Sequence, residues 1–374
     1  MIIDPYDPLP RPRAILLIVG FCVAIAIGPV CWFAGARVHT RATPPAPAWE
    51  TRAVLDGDYT KALEKHIVES SPVTLALRGA YRDAWMGLGL LDTGNAVLGR
   101  GGQLFFWYTL QAPAAFARDR AARRALLAGY RARCEALGVR LVLVPVPDTA
   151  SVLPELLPEG FVLPESRRRL YADLAGEARE AGIETVDLLE AMRAWRRARP
   201  EETLYQARDT HWTLTACQRA AELVAQRLTG LGWLDAIPRA SLRAQPAQER
   251  PGLGDLAEQT GLAPDGAFGS VIRDRMRWIA VFVRDANGGE RPLATDEPDA
   301  AIAVAGDSFA DIGFVPALCG HLGRLVDASG VLPAGGPRSG LEATLMRIER
   351  GELRVRVIVW EAIERSWAED WWHR

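Results

Sequence analysis

Four short runs rich in Val, Leu and Ile constrain this chain most: Leu141–Val146, Glu184–Leu188, Ala301–Ala305 and Val355–Trp360. Runs of this kind suit strands covered on both faces, because a parallel sheet flanked by helices has no wet side. Between and around them lie helical stretches. Arg118–Leu137 stops at Gly138, Ser166–Ala181 stops at Gly182, and Thr213–Leu228 and Gly313–Leu325 follow. A glycine just past the last turn is a common helix stop, since it adopts the left-handed conformation without strain. The alternation of strand and helix predicts an α/β fold, a mostly parallel sheet flanked by helices.

One region breaks the alternation. From about 234 to 298 proline and glycine are frequent, and Trp278–Val283 followed by Asn287-Gly288 predicts a hairpin. This stretch reads as an insertion in the α/β domain. Shaping a substrate cleft and merely decorating the sheet edge are equally open roles for it.

The ends and the composition bound the rest. Ala14–Ala36 is an uncharged run, and a helix needs about 20 such residues to cross a bilayer. Ala34-Gly35-Ala36 resembles a signal cleavage site, but the run exceeds the usual signal core of roughly 7 to 15 residues. An uncleaved transmembrane anchor is therefore expected over 14–36, after a short tail at 1–13 and before a proline-rich linker at 37–50 that includes Thr43–Ala48. The folded α/β domain is expected over 51–374. Arg11 and Arg13 before the run are matched by Arg37 and Arg41 after it, so charge alone does not orient the segment. The net charge of −2 gives no electrostatic reason to expect nucleic acid. The arginine-rich stretches Arg118–Arg133, Arg167–Arg169 and Arg193–Arg199 alternate with Ala, Leu and Glu as solvated helix faces do. The cysteines at 22, 31, 134, 217 and 319 lack any metal-ligand spacing, and the last three read as buried thiols. No metal or cofactor is expected.

Chemistry is concentrated in two motifs, Asp209-Thr210-His211-Trp212-Thr213 and Gly306-Asp307-Ser308-Phe309. Together they supply a hydroxyl nucleophile, an imidazole base and a carboxylate to orient it, the set needed for acyl transfer through a serine ester. Ser308 follows the apolar run Ala301–Ala305 and precedes a helical stretch, which puts it at the carboxyl end of a strand, where open α/β sheets bind ligands. Gly306 permits a sharp turn there, and backbone N–H groups at the start of the next helix face a developing oxyanion. A helix N-cap is the plain alternative for Gly-Asp-Ser. In an extended or turn segment residues two apart share a side, so Asp209 can hold one ring nitrogen of His211 while the other faces Ser308. The alternatives are that Asp209 caps the helix near Thr213, or that the pair binds a metal that no further His or Cys completes. Elimination favours His211 as the base. His39 lies in the linker, His66 on a charged helical stretch, His321 in an amphipathic helix and His373 at the C-terminus.

These motifs, with others in the same order, resemble the SGNH-hydrolase-like O-acetyltransferases of bacterial exopolysaccharide systems, of the alginate-acetylating AlgJ/AlgX type. Asn95–Phe105 resembles the family's opening motif, with Gln103 where Trp is usual. Val144–Thr149 resembles its first core strand and loop, with Thr149 where Lys is common. Gly254-Asp255-Leu256 and Val357–Glu361 through Arg365 resemble weaker signatures downstream. The resemblance implies an SGNH-like sheet, with Ser308 as nucleophile, His211 as general base and Asp209 as orienting acid. Gly306, Asp307 and Arg365 are the expected oxyanion and substrate residues. It also implies a polysaccharide acceptor, a multi-pass membrane O-acyltransferase partner that supplies acetyl groups, and an inner-membrane protein whose large domain lies in the periplasm. Ordinary SGNH esterases place Asp and His after the serine, and here they precede it. A carbohydrate acetylesterase using the same residues and a non-catalytic polysaccharide-binding scaffold, with sugar-stacking tryptophans such as Trp367, Trp371 and Trp372, remain the rival readings.

Overall fold

The structure, a computed structural model, describes residues 51–81 and 95–368 except 74, 78–79, 114–115, 117, 246–247, 261–272, 285–286 and 333–335, together with 30, 46, 48 and 49. The chain divides into two compact units, one of Met1–Leu90 with Gly261–Gly269 and one of Leu91–Thr260 with Ser270–Arg374. In the first, helices α1 (Thr51–Leu55) and α2 (Asp58–Ser70) meet at Gly57, whose φ of 80° needs a glycine. His66 is on α2 as expected, but buried. The expected anchor, apart from Val30, lies outside the described residues, as do most of the linker and Trp371, Trp372 and His373. Among the described residues no helix is long and apolar enough to cross a membrane.

The second unit opens with a hairpin, β1 (Ala96–Leu98) and β2 (Leu104–Phe106). Helix α3 (Arg120–Ala136) leads into β3 (Arg140–Val146), and α4 (Glu165–Glu180) into β4 (Glu184–Thr185). Helices α5 (Leu189–Ala198) and α6 (Leu214–Gly230) precede the insertion. That insertion contains β5 (Leu242–Ala244), β6 (Gln248–Leu253), α7 (Asp255–Thr260), β7 (Arg273–Trp278), β8 (Val281–Arg284) and β9 (Glu290–Pro292). The chain then returns to the sheet through β10 (Ile302–Gly306), α8 (Val315–Leu322), β11 (Asp327–Val331), α9 (Gly336–Glu349) and β12 (Val357–Ile363).

Five strands form one sheet in the order β11-β10-β12-β3-β4, every pair parallel. All of β10 and β12 and all but the first residue of β3 are buried, as uninterrupted apolar strands require. Side chains alternate between two cores. Val142, Val144, Val304 and Val359 pack on one face with Trp212, Phe309 and α6. Leu141, Leu143, Ala303, Ile358 and Trp360 pack on the other with residues of α3, α4 and α9.

Local differences from the expected elements have physical causes. Glu184–Leu188 shortens to a two-residue edge strand, because the Asp187 carboxylate accepts the Leu189 N–H at 3.2 Å and turns the chain into α5. The helix expected from Gly313 begins with a π turn, Ala310–Phe314, where Gly313 has a φ of 87°. Pro316 then has no N–H to continue a regular ladder. The expected hairpin turn at Asn287-Gly288 joins β8 to β9, with Gly288 at a φ of 82°. Trp278 belongs instead to β7, which pairs with β6 in a separate ribbon.

Candidate functional site

Three parallel strands, β3, β12 and β10, end side by side, and the residues that follow them line one edge. Gly306 closes β10, and its lack of a side chain is required: a Cβ there would lie 2.6 Å from Glu361 Oε2 and 3.2 Å from Ala310 Cβ. The Asp307 N–H donates to Glu361 Oε2 at 3.1 Å, and the Asp307 carboxylate accepts the Phe309 N–H at 2.9 Å. These two bonds set the turn that presents Ser308, which is half-buried. The amide of Ser308 itself donates to no acceptor among the described residues.

His211 reaches Ser308 from a tight loop. Gln206 N–H donates to His211 O at 3.0 Å and Thr213 N–H to Leu204 O at 2.9 Å, closing the loop before α6. Thr213, not Asp209, caps α6 by accepting the Ala216 N–H at 3.3 Å. Trp212, fully buried, donates its indole N–H to Phe309 O at 2.9 Å and lies against Phe309 and Phe314. That bond ties the histidine loop to the residue after the serine, so two motifs far apart in the chain share one point.

The resulting distances form a relay. His211 Nε2 stands 2.8 Å from Ser308 Oγ, and His211 Nδ1 stands 2.6 Å from Asp209 Oδ1. An ionised carboxylate only accepts, so Nδ1 carries the proton and the Nε2 lone pair faces the serine hydroxyl. Burial pushes the Asp209 carboxyl up, but the bond and charge of the His211 ring outweigh it and hold it below its ordinary value. Asp209 Oδ1 also accepts the His211 N–H at 2.9 Å, and Oδ2 accepts the Asp255 N–H at 3.0 Å.

Asp255 comes from the insertion, which is therefore more than decoration. Its carboxylate accepts the Thr210 N–H at 2.7 Å and the Thr210 hydroxyl at 2.5 Å. Asp274 on β7 accepts the Arg208 N–H at 2.6 Å. On the other side of the loop, Leu104 N–H donates to Ala207 O at 2.7 Å and the Gln103 amide to Gln206 O at 3.1 Å. Ligand atoms of Asp209, His211 and Asp255 lie within 4.8 Å of one another. They are already committed to this hydrogen-bond set, and a cation would have to break the Nδ1 bond to Asp209.

A second polar layer lies beneath. Arg365 donates to Asp148 Oδ1 at 3.2 Å, and its guanidinium carbon is 4.9 Å from the centre of the Phe309 ring, which itself stacks 4.6 Å from the His211 ring. The buried Glu364 accepts the Asp148 N–H at 2.9 Å. Burial, and then the Asp148 charge, push the Glu364 carboxyl up to about 8. Burial, and then the Asp307 charge, push Glu361 well above its ordinary value. Asp307 and Asp148 are themselves raised by burial, against the pull of the surrounding N–H groups and arginines.

Thus Ser308, His211 and Asp209 meet directly. Gly306 and Asp307 shape the serine turn, with the Asp307 N–H already taken by Glu361, and Arg365 stands behind Phe309. His321 is exposed on α8, away from this hydrogen-bond set. Asp255, Glu361 and Glu364 stood in the sequence only within the two weaker family-like signatures, without an assigned role.

Residues 96–364 match the family model described as SGNH hydrolase-like domain, acetyltransferase AlgX. The chain is similar to the probable alginate O-acetylase AlgJ of Pseudomonas aeruginosa, 27% identical over 229 residues, which cover 60% of this chain and 56% of that protein. It is 26% identical over 265 residues to the corresponding protein of Pseudomonas putida, covering 70% of this chain and 66% of that protein. The chain therefore spans between about half and two thirds of the length of these relatives. Among solved structures, the O-acetyltransferase domain of Pseudomonas putida AlgJ superposes with a TM-score of 0.61 at 24% identity, covering 74% of this chain and 93% of that one. Pseudomonas aeruginosa AlgX superposes with a TM-score of 0.54 at 21% identity, covering 76% and 65%. Both likenesses concern the fold: an SGNH-like α/β domain built on a parallel sheet.

Proposed function

Since the chain belongs to the AlgX family of SGNH hydrolase-like acetyltransferase domains, we propose that it is an O-acetyltransferase that carries an acetyl group on Ser308 to hydroxyls of an exopolysaccharide. The observation that supports this most is the unbroken relay from Asp209 through His211 to Ser308, at 2.6 and 2.8 Å. In the first half-reaction Ser308 Oγ attacks the acetyl carbonyl of a donor ester while His211 Nε2 takes its proton. The tetrahedral oxyanion is held by the free Ser308 N–H, at a turn kept in shape by Gly306, Asp307 and Glu361. The donor oxygen leaves with the proton from His211, and acetyl-Ser308 remains. In the second half a sugar hydroxyl gives its proton to His211 and attacks the ester, and Ser308 regains its proton as the acetyl group departs. Asp209 holds the tautomer and faces the imidazolium formed in each half. Arg365 contributes positive charge behind Phe309 and is assigned to substrate or oxyanion binding.

The names of the relatives point to an alginate-like acceptor. The apolar run 14–36 is assigned as an inner-membrane anchor that holds the domain on the periplasmic side, beside a multi-pass O-acyltransferase that supplies acetyl groups. The test incubates the protein with an acetyl-ester donor and an oligosaccharide and weighs the products. Acetylated sugar with wild type and none with Ser308→Ala is the expected result. Free acetate alone, even at high acceptor concentration, would make the protein an esterase. A fluorophosphonate probe that fails to label wild type at Ser308 would leave only the scaffold reading.

A further inference from the structure

We infer that Asp255 is a positioning residue for acyl transfer, supplied by the insertion, which sets the angle between Asp209 and His211 by gripping the residue between them. The inference rests on the reading of Ser308 as nucleophile. Three bonds carry it. Asp255 accepts the Thr210 N–H at 2.7 Å and the Thr210 hydroxyl at 2.5 Å, and its own N–H donates to Asp209 Oδ2 at 3.0 Å. Fixing Thr210 fixes both neighbours, because Asp209 and His211 share its two peptide planes. The remaining Asp209 oxygen is then left to His211, which it meets through both the backbone N–H and Nδ1.

The approach that makes this grip is built in. A Cβ on Gly254 would lie 2.1 Å from Arg208 O and 2.8 Å from Asp209 Cβ, so only glycine lets the insertion come this near. Asp255 is not a core residue that happens to be polar. Its side chain keeps 37% of its exposure, and its Oδ2 stands 3.8 Å from His211 Nδ1, too far for a hydrogen bond. Its effect on the ring therefore runs through Thr210 and Asp209. Besides the insertion, this stretch is held by the Leu104 N–H on Ala207 O, the Gln103 amide on Gln206 O and the bonds between Asp209 and His211.

The experiment measures ester turnover by the full chain, with active sites titrated by a fluorophosphonate probe so that kcat is counted per labelled Ser308. Asp255→Ala is expected to lower kcat by about 10- to 100-fold with KM changed less than about twofold, as misplacement of a catalytic pair does. Asp255→Asn keeps an oxygen for the Thr210 N–H and is expected to recover kcat to within about fivefold of wild type. Thr210→Val should lower kcat by a few-fold. The double variant with Asp255→Ala should be no slower than Asp255→Ala alone, since both changes act on one unit. A merely structural Asp255 would reduce the number of labelled sites and leave kcat per site unchanged. The inference is overturned if Asp255→Ala keeps kcat per site within about threefold, if Asp255→Asn is as slow as Asp255→Ala, or if the Thr210 and Asp255 losses multiply. Should Asp255→Ala not fold, Asp255→Asn and Thr210→Val decide: a Thr210→Val enzyme as fast as wild type sinks it. An unlabelled wild type would instead sink the Ser308 reading itself.

Discussion

Replacing Asp209 by Asn tests the relay at its most constrained atom. Asp209 accepts three hydrogen bonds: the His211 N–H and Nδ1–H on Oδ1, and the Asp255 N–H on Oδ2. An amide has only one oxygen, so it can keep the His211 pair or the Asp255 bond, but not both. With its oxygen toward His211, its NH2 meets the Asp255 N–H at 3.0 Å, donor against donor. Flipped, its NH2 meets the His211 N–H and Nδ1 and forces the ring to carry its proton on Nε2. That ring would donate to Ser308 Oγ instead of accepting from it. In either orientation one partly buried N–H loses its partner, at up to about 1–3 kcal/mol of stability. The charge that faces the imidazolium is also lost, and for a serine–histidine–aspartate unit that change lowers kcat by about 10⁴-fold, roughly 5.5 kcal/mol of barrier. We therefore expect Asp209→Asn to slow probe labelling of Ser308 by about 10³- to 10⁴-fold and to unfold at lower urea. Labelling within about tenfold of wild type, in a protein where Ser308→Ala is silent, would refute the orienting role and make Asp209 a loop residue.

Two further perturbations have defined outcomes. Glu364 keeps its proton up to about pH 8 in the fold, against an ordinary value of 4.5. Between these values the folded state binds more protons than the unfolded chain, so this contribution is full below about pH 4.5 and is lost as pH rises through 8. It amounts to a few kcal/mol, shared with Asp148. Glu364→Gln, which retains an oxygen for the Asp148 N–H, should flatten the fall in urea midpoint between about pH 5 and 8.5; equal slopes in the two proteins would discharge Glu364 from that role. Gly254→Ala must displace Arg208 or Asp209, and is expected to cost about 100-fold in kcat, with 1–3 kcal/mol of stability at about the usual overpacking range. An alanine variant with wild-type labelling kinetics would mean that the insertion docks without that close approach.

The sheet was legible because its central strands are covered on both faces, which leaves an uninterrupted apolar run in the sequence. Its edge was not: β4 keeps two residues because Asp187 turns the chain, a bond no periodicity displays. Ser308 and His211 were legible by chemistry, one at a strand end and one by elimination. Their meeting depends on the Trp212 indole reaching Phe309 O, a contact between residues whose local patterns are ordinary. Asp255 was visible only as part of the Gly254-Asp255-Leu256 signature, and its role was not, because Pro- and Gly-rich segments carry no period from which a facing side chain can be read.

The order of strands accounts for the remainder. β12 is the last of the described strands yet lies between β10 and β3, and the strand sequence alone is equally compatible with β12 at an edge, where Glu361 and the Glu364 that follows the strand would meet water. In the centre they cannot. Glu361 lies against the Gly306–Asp307 turn and Glu364 against Asp148, and with both groups buried, desolvation favours the neutral acid. The raised Glu361 carboxyl accepts the Asp307 amide at the turn that presents Ser308. The central position of β12 thus gives the serine turn its support.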